Sequence, residues 1–219
     1  MYVYLLEIFI RKVFLATALA LGLVAGAQAN STSDLYNRYN NDLKFNLAVG
    51  YGFTKFGNID HSFYAPVSKL GVDFALARFG QDQRHVIYFG PELAFTYSSK
   101  NLDSGKFKGE EAGTSIATKV TQYTVGVKTT YVLETPNLPV DHYVSLGLGM
   151  NNVHYSLNNG SEGTTQNTHG MYVSLEGGVK FHMGLTLGVE YRHAWKTGLK
   201  NTAYDTSSNS VNLLVGYAF

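Results

Sequence analysis

Nine charged side chains occur at alternating positions within segments that otherwise alternate large apolar residues with small ones. They are four acids and five bases: Asp73, Glu92, Glu176 and Glu190 with Lys44, Lys69, Lys128, Lys180 and Arg192. An isolated charge in a poorly solvated space is costly, so opposite charges that share such a space form ion pairs. The near balance of signs therefore predicts an internal ion-pair network, with a pathway for small ions as the alternative. Within the network we expect Glu176 to pair with Arg192, and Glu92 to pair with Lys128.

Seven histidines are the other side chains that could bind a metal ion. None of them occurs in an H-x-H or H-E-x-x-H spacing, which would bring two ligands together on one element. The chain contains no cysteine, so a thiolate metal site is excluded as well. We predict no metal site and no cofactor. The histidines are expected at the two ends of the strands, with His61, His154, His169 and His193 at one end and His85, His142 and His182 at the other.

The elements that must position the charges are segments in which large apolar residues take every second position. The first segment, Leu43–Phe53, places Leu, Phe, Val and Tyr on one face, with Lys44, Asn46, Ala48 and two glycines on the other. Such alternation is typical of β-strands. The eight predicted strands cover residues 43–53, 69–77, 87–97, 122–133, 143–150, 171–183, 185–195 and 211–219.

The two faces of these strands favour a membrane barrel over a soluble sandwich. One face is large, aromatic and free of charge, while the other is mostly Gly, Ala and Ser with isolated charges. A lipid-facing surface must look like the first face, because a charge near the bilayer midplane costs about 2–4 kcal/mol. In lipid every backbone N–H and C=O needs a partner, so the sheet must close. We predict an all-β fold, an antiparallel up-and-down transmembrane β-barrel of about eight strands.

The connections between the predicted strands alternate in length. Residues 80–84 and Gly184 form short turns, and residues 134–141 an intermediate one, whereas residues 54–67, 98–121, 156–168 and 196–209 are long and polar. Short turns are typical of the periplasmic end of an outer-membrane barrel and long loops of its extracellular end. We expect residues 98–121 to form the longest loop, and Lys44, Lys69 and Lys180 to lie near the periplasmic end.

Aromatic residues near the predicted strand ends indicate where the barrel meets the lipid head groups. Amphipathic rings prefer that level, and girdles of them flank the apolar band of membrane barrels. We expect the extracellular girdle to contain Tyr51, Phe53, Phe56, Phe95, Tyr97, Tyr123, Tyr155, Tyr172 and Trp195.

The N-terminal residues predict export. Arg11 and Lys12 precede the apolar run Val13–Gly26, and Ala27–Ala29 forms an A-x-A cleavage site, a combination typical of a signal peptide. A transmembrane helix is the alternative, but the run is too short for one. We predict a signal peptide over residues 1–29, a periplasmic lead over 30–42 and a barrel over 43–219. Of 17 basic and 16 acidic residues, 15 of each then remain, a balance that argues against nucleic-acid binding.

The C-terminal hairpin resembles the closing hairpin of the small outer-membrane β-barrel family that includes opacity-like and OmpX- or OmpA-type proteins. The sequence Glu190-Tyr191-Arg192 matches the core of that family's penultimate strand, and Ser208–Phe219 matches its last strand. Tyr143–Gly149 is similar to the fifth strand. The resemblance covers residues 43–219 and implies a location in the Gram-negative outer membrane, in contact with lipid and lipopolysaccharide. It also implies that Tyr217 and Phe219 belong to the signal read by the outer-membrane assembly machinery.

The functions of this family lie in variable loops, so the fold alone does not identify one. The first hypothesis is a structural and surface-interaction protein with a plugged polar lumen, whose loops contact a host or environmental ligand. A small-solute or ion pore and a lipid-modifying enzyme are the alternatives. Barrels that deacylate lipid A carry a serine close to a histidine on a late strand. Here Ala194 and Trp195 follow His193, so we predict that the chain is not an enzyme.

Overall fold

A computed structural model describes residues 43–80, 82–107, 111, 113–160, 163–197 and 207–219. Eight antiparallel strands form a closed barrel in chain order, which confirms the predicted fold class. The strands are β1 Leu43–Phe56, β2 Ser62–Phe79, β3 His85–Asp103, β4 Ser115–Leu133, β5 Val140–Asn158, β6 Gly163–Phe181, β7 Leu185–Ala194 and β8 Ser208–Ala218. The predicted signal peptide and periplasmic lead lie outside the described residues. Within the part of the chain described, no helix is long and apolar enough to cross a membrane.

The barrel closes through the pairing of β1 with β8, from Asn46↔Ala218 to Phe56↔Ser208. The tightest turn, between β6 and β7, contains Gly184 at a φ of +96°, a conformation in which glycine avoids the strain of a side chain. As in other barrels of this kind, we call the end with this turn periplasmic and the opposite end extracellular.

Five strands are longer than the sequence predicts by six residues or more. Strand β2 has 18 residues and β3 to β6 have 19 each, whereas a tilted membrane-spanning strand needs about 9–11 residues. The predicted loops over residues 54–67, 98–121 and 156–168 are therefore wrong in their bounds, because most of these residues continue the strands beyond the bilayer. In contrast, β7 and β8 have 10 and 11 residues.

Side chains alternate between the lumen and the outer surface along each strand. On β5, Ser145 is buried inside while Leu146 and Leu148 are exposed on the outer face, as the period-2 pattern predicts. The alternation breaks at a register shift between Ala75 and Ala77 of β2. Ala77, which the pattern placed inside, is exposed as a result, and Arg78 is half-buried and contacts Glu134 at 3.2 Å.

An apolar cluster fills the extracellular end of the lumen, where the sequence predicts polar loops. We call it the apolar cap, and it consists of Phe56, Ile59, Phe63, Leu102, Phe107, Val120, Val153 and Tyr155. The ring of Phe56 lies 5.3 Å from that of Tyr155 and 5.8 Å from that of Phe63, both in edge-on geometry. These inward-facing residues explain why the strands extend so far, because they give the extension a core of its own.

The aromatic girdle is only partly as predicted. Exposed aromatic side chains on the outer face include Tyr51, Phe53, Phe95, Tyr123 and Trp195. Phe56, Tyr155 and Tyr172 were wrongly assigned to this girdle, because all three are fully buried in the lumen.

Candidate functional site: the charged lumen

The nine predicted lumen charges divide into two groups, and the first meets in the middle of the barrel. We call this group the ion cluster, and it consists of Lys69, Glu92, Lys128, Glu176, Glu190 and Arg192. Strands β2, β3, β4, β6 and β7 each contribute to it, since the inward face of every strand converges on one axis. The cluster contains three cations and three carboxylates, so its formal charges balance.

Lys69 is the centre of the ion cluster. Its Nζ lies 2.6 Å from Glu176 Oε2, 3.1 Å from Glu92 Oε2 and 3.2 Å from Glu190 Oε1. Each carboxylate comes from a different strand, and the lysine side chain is only 5% exposed. Three charge-assisted contacts at these distances compensate the desolvation of the ammonium group. The sequence placed Lys69 near the periplasmic end, whereas the structure places it opposite Ala48, well inside the barrel.

The remaining cations share carboxylate oxygens that Lys69 also contacts. Lys128 Nζ lies 3.3 Å from Glu92 Oε2, which is the contact the sequence predicts for that pair. Arg192 Nη2 donates to Glu190 Oε1 at 2.7 Å, and its guanidinium carbon lies 4.9 Å from the ring centre of Tyr172. Two cations therefore contact the same oxygen of the buried Glu190, which compensates the desolvation of its carboxylate.

The direct ion pair predicted between Glu176 and Arg192 is wrong. In the β6–β7 ladder Arg192 stands opposite Ser174, and Glu176 stands opposite Glu190. Two facing carboxylates repel each other unless a cation lies between them. Lys69, from the far side of the lumen, supplies that cation and contacts both glutamates.

The second group, Lys44, Asp73 and Lys180, lies on the periplasmic side of the ion cluster. The three line a cavity of about 70 Å³ together with Tyr88 and Tyr143. The ammonium group of Lys44 lies over the ring of Tyr88, 4.1 Å from its centre. This volume holds a few water molecules, since one water needs about 10–15 Å³.

Neutral side chains complete the cluster through hydrogen bonds that the sequence did not predict. Tyr143 donates to Glu176 Oε1 at 2.9 Å, and Asn212 donates to Glu190 Oε2 at 2.9 Å. Inward tyrosines also cover glycines, since a methyl group added to Gly188 would collide with the Tyr143 hydroxyl group. Gly188 lies on the inward face of β7. An aromatic residue and a glycine that are both predicted to point inward are the sequence signal that could have indicated this contact.

The predicted histidine positions can be compared with the strand ends. His85 begins β3, His142 lies near the start of β5 and His182 follows β6, all at the periplasmic end. His154 and His169 lie on the extracellular parts of β5 and β6. In the residues that the structure describes, no three His, Asp or Glu side chains are grouped closely enough to hold a metal ion.

The predicted assembly signal is at the end of the last strand. Tyr217 is the penultimate residue of β8, and Phe219 follows the strand directly. No part of this geometry tests recognition by an assembly machinery, so that role remains a prediction.

Comparisons with known proteins agree with this fold. Residues 15–219 match the family described as outer membrane protein beta-barrel domain. No curated protein sequence matches the chain. Among solved structures, neisserial surface protein A has a TM-score of 0.54 at 14% identity, over 81% of this chain and 96% of that one.

Two further solved structures are similar but less close in shape. Ail, the attachment invasion locus protein of Yersinia pestis in complex with the heparin analogue sucrose octasulfate, has a TM-score of 0.49 at 14% identity, covering 81% of this chain and 99% of that one. The outer membrane enzyme PagL has a TM-score of 0.45 at 16% identity, covering 80% and 98%. At such identities the similarities concern the fold alone.

Proposed function

The chain belongs to the outer membrane protein β-barrel domain family, and we propose that it is a closed, non-conducting barrel of the outer membrane that supports a surface for interaction. The observation that carries the proposal is the filling of the lumen at two heights. The ion cluster occupies the middle of the barrel, and the apolar cap occupies its extracellular end. The family has adhesin-like, pore-like and enzyme-like members of the same fold, so the choice among them rests on this chain's own residues.

The ion cluster and the apolar cap oppose the passage of ions in different ways. Lys69 and Glu190 are almost fully buried, so an ion would have to break their contacts in order to pass. Seven of the eight side chains of the apolar cap have no polar atom that could replace the hydration shell of a permeating ion, and the hydroxyl group of the eighth, Tyr155, donates to the carbonyl of Thr197 at 2.6 Å. The cavity of about 70 Å³ on the periplasmic side reaches the ion cluster, since Lys69 and Glu176 belong to its lining.

Conductance measurements test the closed barrel directly. Purified protein is refolded, its folded fraction is measured from the mobility difference between boiled and unboiled samples on a denaturing gel, and it is then added to planar lipid bilayers. We expect heat-modifiable mobility and no stable ohmic conductance. Stable conductance steps from the folded fraction would contradict the proposal and favour the small pore.

Two extracellular connections, β1–β2 and β3–β4, are tied to each other, which supports a surface of fixed shape in this region. The backbone N–H of Asp60, between β1 and β2, donates to the carbonyl of Lys106 at 2.7 Å. Ile59 forms a β-bridge with Phe107, and both side chains are part of the apolar cap. A surface held in this way loses little conformational entropy when it binds a partner.

The surface-interaction role predicts an effect on cell adhesion. Lys100 and Lys106 are exposed near the tip of the β3–β4 hairpin, the region in which the sequence places the principal loop. Bacteria that express the Lys100→Ala, Lys106→Ala variant should adhere less to cultured host-cell layers than bacteria with the unchanged protein. Arg84→Ala is the matched control, because Arg84 is an exposed cation at the periplasmic end. Equal adhesion of the two variants would contradict the role.

We also propose that the chain is not an enzyme. His193, the histidine on the late strand β7, donates from Nδ1 to Asn209 Oδ1 at 2.8 Å, and its ring packs edge-on against that of Trp195 at 4.7 Å. This arrangement orients the imidazole with an amide and an indole, neither of which is a nucleophile. Deacylation of purified lipid A by the refolded protein would contradict this part of the proposal.

A further inference from the structure

The outer face of β4, β5 and β6 changes character just above the lipid-facing band. Below the change, Val125, Met150 and Met171 are exposed and apolar. Above it, the outward-facing residues form three rows of residues paired across the strands, which we call rungs. Only the first rung contains a tyrosine. The rungs are Tyr123–Asn152–His169, Thr121–His154–Asn167 and Lys119–Ser156–Thr165.

We call the polar positions of these rungs the polar wall, and they are Lys119, Thr121, Asn152, His154, Ser156, Thr165, Asn167 and His169. Their neighbours along each strand, including Val120, Val153 and Thr168, are buried on the inner side. The polar wall is therefore the outer surface of the strand extension that the apolar cap supports from within.

Two reciprocal hydrogen bonds orient the centre of the polar wall. His154 Nδ1 lies 2.6 Å from Asn167 Oδ1, and His169 Nδ1 lies 2.6 Å from Asn152 Oδ1. An amide oxygen only accepts, so each ring donates from Nδ1. This leaves Nε2 of each ring and the amide N–H groups of each asparagine for another partner.

The polar wall contains a positively charged side chain and no negatively charged one. Its eight positions contain hydroxyl, amide and imidazole groups, one ammonium group on the exposed Lys119, and no carboxylate. Sugar hydroxyls both donate and accept, so they can bind the amide, hydroxyl and imidazole groups of the wall, whereas phosphate binds an ammonium group such as that of Lys119 through charge-assisted hydrogen bonds.

The position of the wall indicates which molecule it meets. The protein is in the outer membrane, whose outer leaflet consists of lipopolysaccharide, and the phosphorylated sugars of that lipid lie directly above its acyl chains. Tyr123, in the first rung, is exposed at the level of the aromatic girdle. The polar wall continues upward from the girdle and so stands at the height of those sugars.

We propose that the polar wall binds the phosphorylated sugar head group of lipopolysaccharide on one side of the barrel. The opposite side differs, because at the same end the outer face of β1 and β2 holds the ring pair Phe53–Tyr64, with centres 6.1 Å apart. Strand β7 ends at Ala194, before it could extend the wall. The contact is therefore local, and it does not depend on the surface-interaction role proposed above.

The test uses the refolded full barrel in detergent, titrated with purified deep-rough lipopolysaccharide and observed by native mass spectrometry. The unchanged protein should retain the lipid saturably. Thr121→Asp with Thr165→Asp places two carboxylates on the wall and should weaken retention about ten-fold. Ser62→Asp is the matched control, because Ser62 begins β2 on the opposite side, and it should bind as the unchanged protein does.

Two further measurements make the outcome decisive. Enzymatically dephosphorylated lipopolysaccharide should bind the unchanged protein more weakly and should no longer distinguish it from the double variant. Lys119→Glu should act in the same direction as the double variant, and gel mobility verifies that each variant is folded. Equal retention by the double variant and Ser62→Asp, or equal retention of the two lipids by the unchanged protein, would overturn the proposal.

Discussion

The ion cluster and the apolar cap fill the same lumen but differ in what the loss of one side chain leaves behind. A side chain removed from the ion cluster leaves an opposite charge buried without its partner, which is costly at that position whatever the shape of the space. A side chain removed from the apolar cap leaves a cavity, and its cost depends on how far the neighbours can collapse. The comparison shows that polar filling makes a lumen sensitive to the identity of each residue, whereas apolar filling makes it sensitive to volume.

The largest expected effect comes from Lys69→Met. It leaves Glu92, Glu176 and Glu190 without their shared cation, and we expect the free energy of unfolding to fall by about 3–5 kcal/mol. Urea titration of the refolded barrel in lipid vesicles measures this. Lys55→Met is the matched control, since that lysine is 58% exposed and lies 4.0 Å from Asp60, and it should cost about 0–1 kcal/mol.

A double change sharpens the same prediction. Combining Lys69→Met with Glu176→Gln should cost less than the sum of the single changes, because the second removes a charge that the first leaves unpaired. Strict additivity would mean that the contact of 2.6 Å between the two side chains does not stabilise the ion cluster.

In the apolar cap, Ile59→Ala should destabilise the barrel by about 2–3 kcal/mol, the lower part of the range for such changes, because Ile59 lies in a connection that can collapse. The same urea titration measures it. Leu138→Ala is the control, since Leu138 lies in a periplasmic connection and is 50% exposed. If both changes had the same small effect, the cap would not contribute a core of its own.

A smaller effect is expected at the glycine beneath Tyr143. Gly188→Ala should displace the Tyr143 hydroxyl group from Glu176 and cost about 1–3 kcal/mol through overpacking. Gly177→Ala provides the comparison, because its added methyl group would lie 3.8 Å from the nearest atom, the carbonyl oxygen of Tyr143, at ordinary contact distance. Similar thermal stability of both variants would show that the space above Gly188 does not determine the position of the Tyr143 side chain.

The smallest effect concerns pH and His61, beside the apolar cap. Burial lowers the pKa of His61, and the charges of Lys100 and Lys106 lower it further. The unfolded chain then takes up a proton before the folded one does, so stability should fall as pH decreases below about 6.5, the ordinary histidine pKa. His61→Gln should reduce this dependence. Urea midpoints at several pH values measure it, and an unchanged pH profile in the variant would contradict the assignment.

The fold was predictable because its signals are local. Alternation such as that of Leu43–Phe53 identifies a strand and its faces without knowledge of any partner. The strand ends above the bilayer were not predictable in the same way. Ser99 and Thr121 are as polar as loop residues. The inward residues of the apolar cap, among them Leu102 and Val120, pack against distant strands and keep this region in the sheet.

The candidate site was predictable in membership but only partly in pairing. The alternation of side chains along each single strand was enough to place Glu92, Lys128 and Glu190 inward. It does not require knowledge of how neighbouring strands are aligned. Pairing depends on the stagger between strands and on contacts across the lumen, such as that of Lys69 with Glu190. One register shift, at Ala75, was enough to turn Arg78 inward against the pattern.

The position of Lys69 in the chain bears on the order of assembly. Its carboxylate partners on β6 and β7 come 107 and 121 residues later in the sequence, so they cannot reach it while the sheet is still open. Contacts between residues so distant in sequence form late in folding, because the chain between them must first lose conformational entropy. A half-formed sheet would carry unneutralised charges at the height of the acyl chains. Closure of the sheet, in which its two edge strands meet, is therefore also the step that neutralises the charges in the lumen. It couples the insertion of the strands into the membrane to the completion of the barrel.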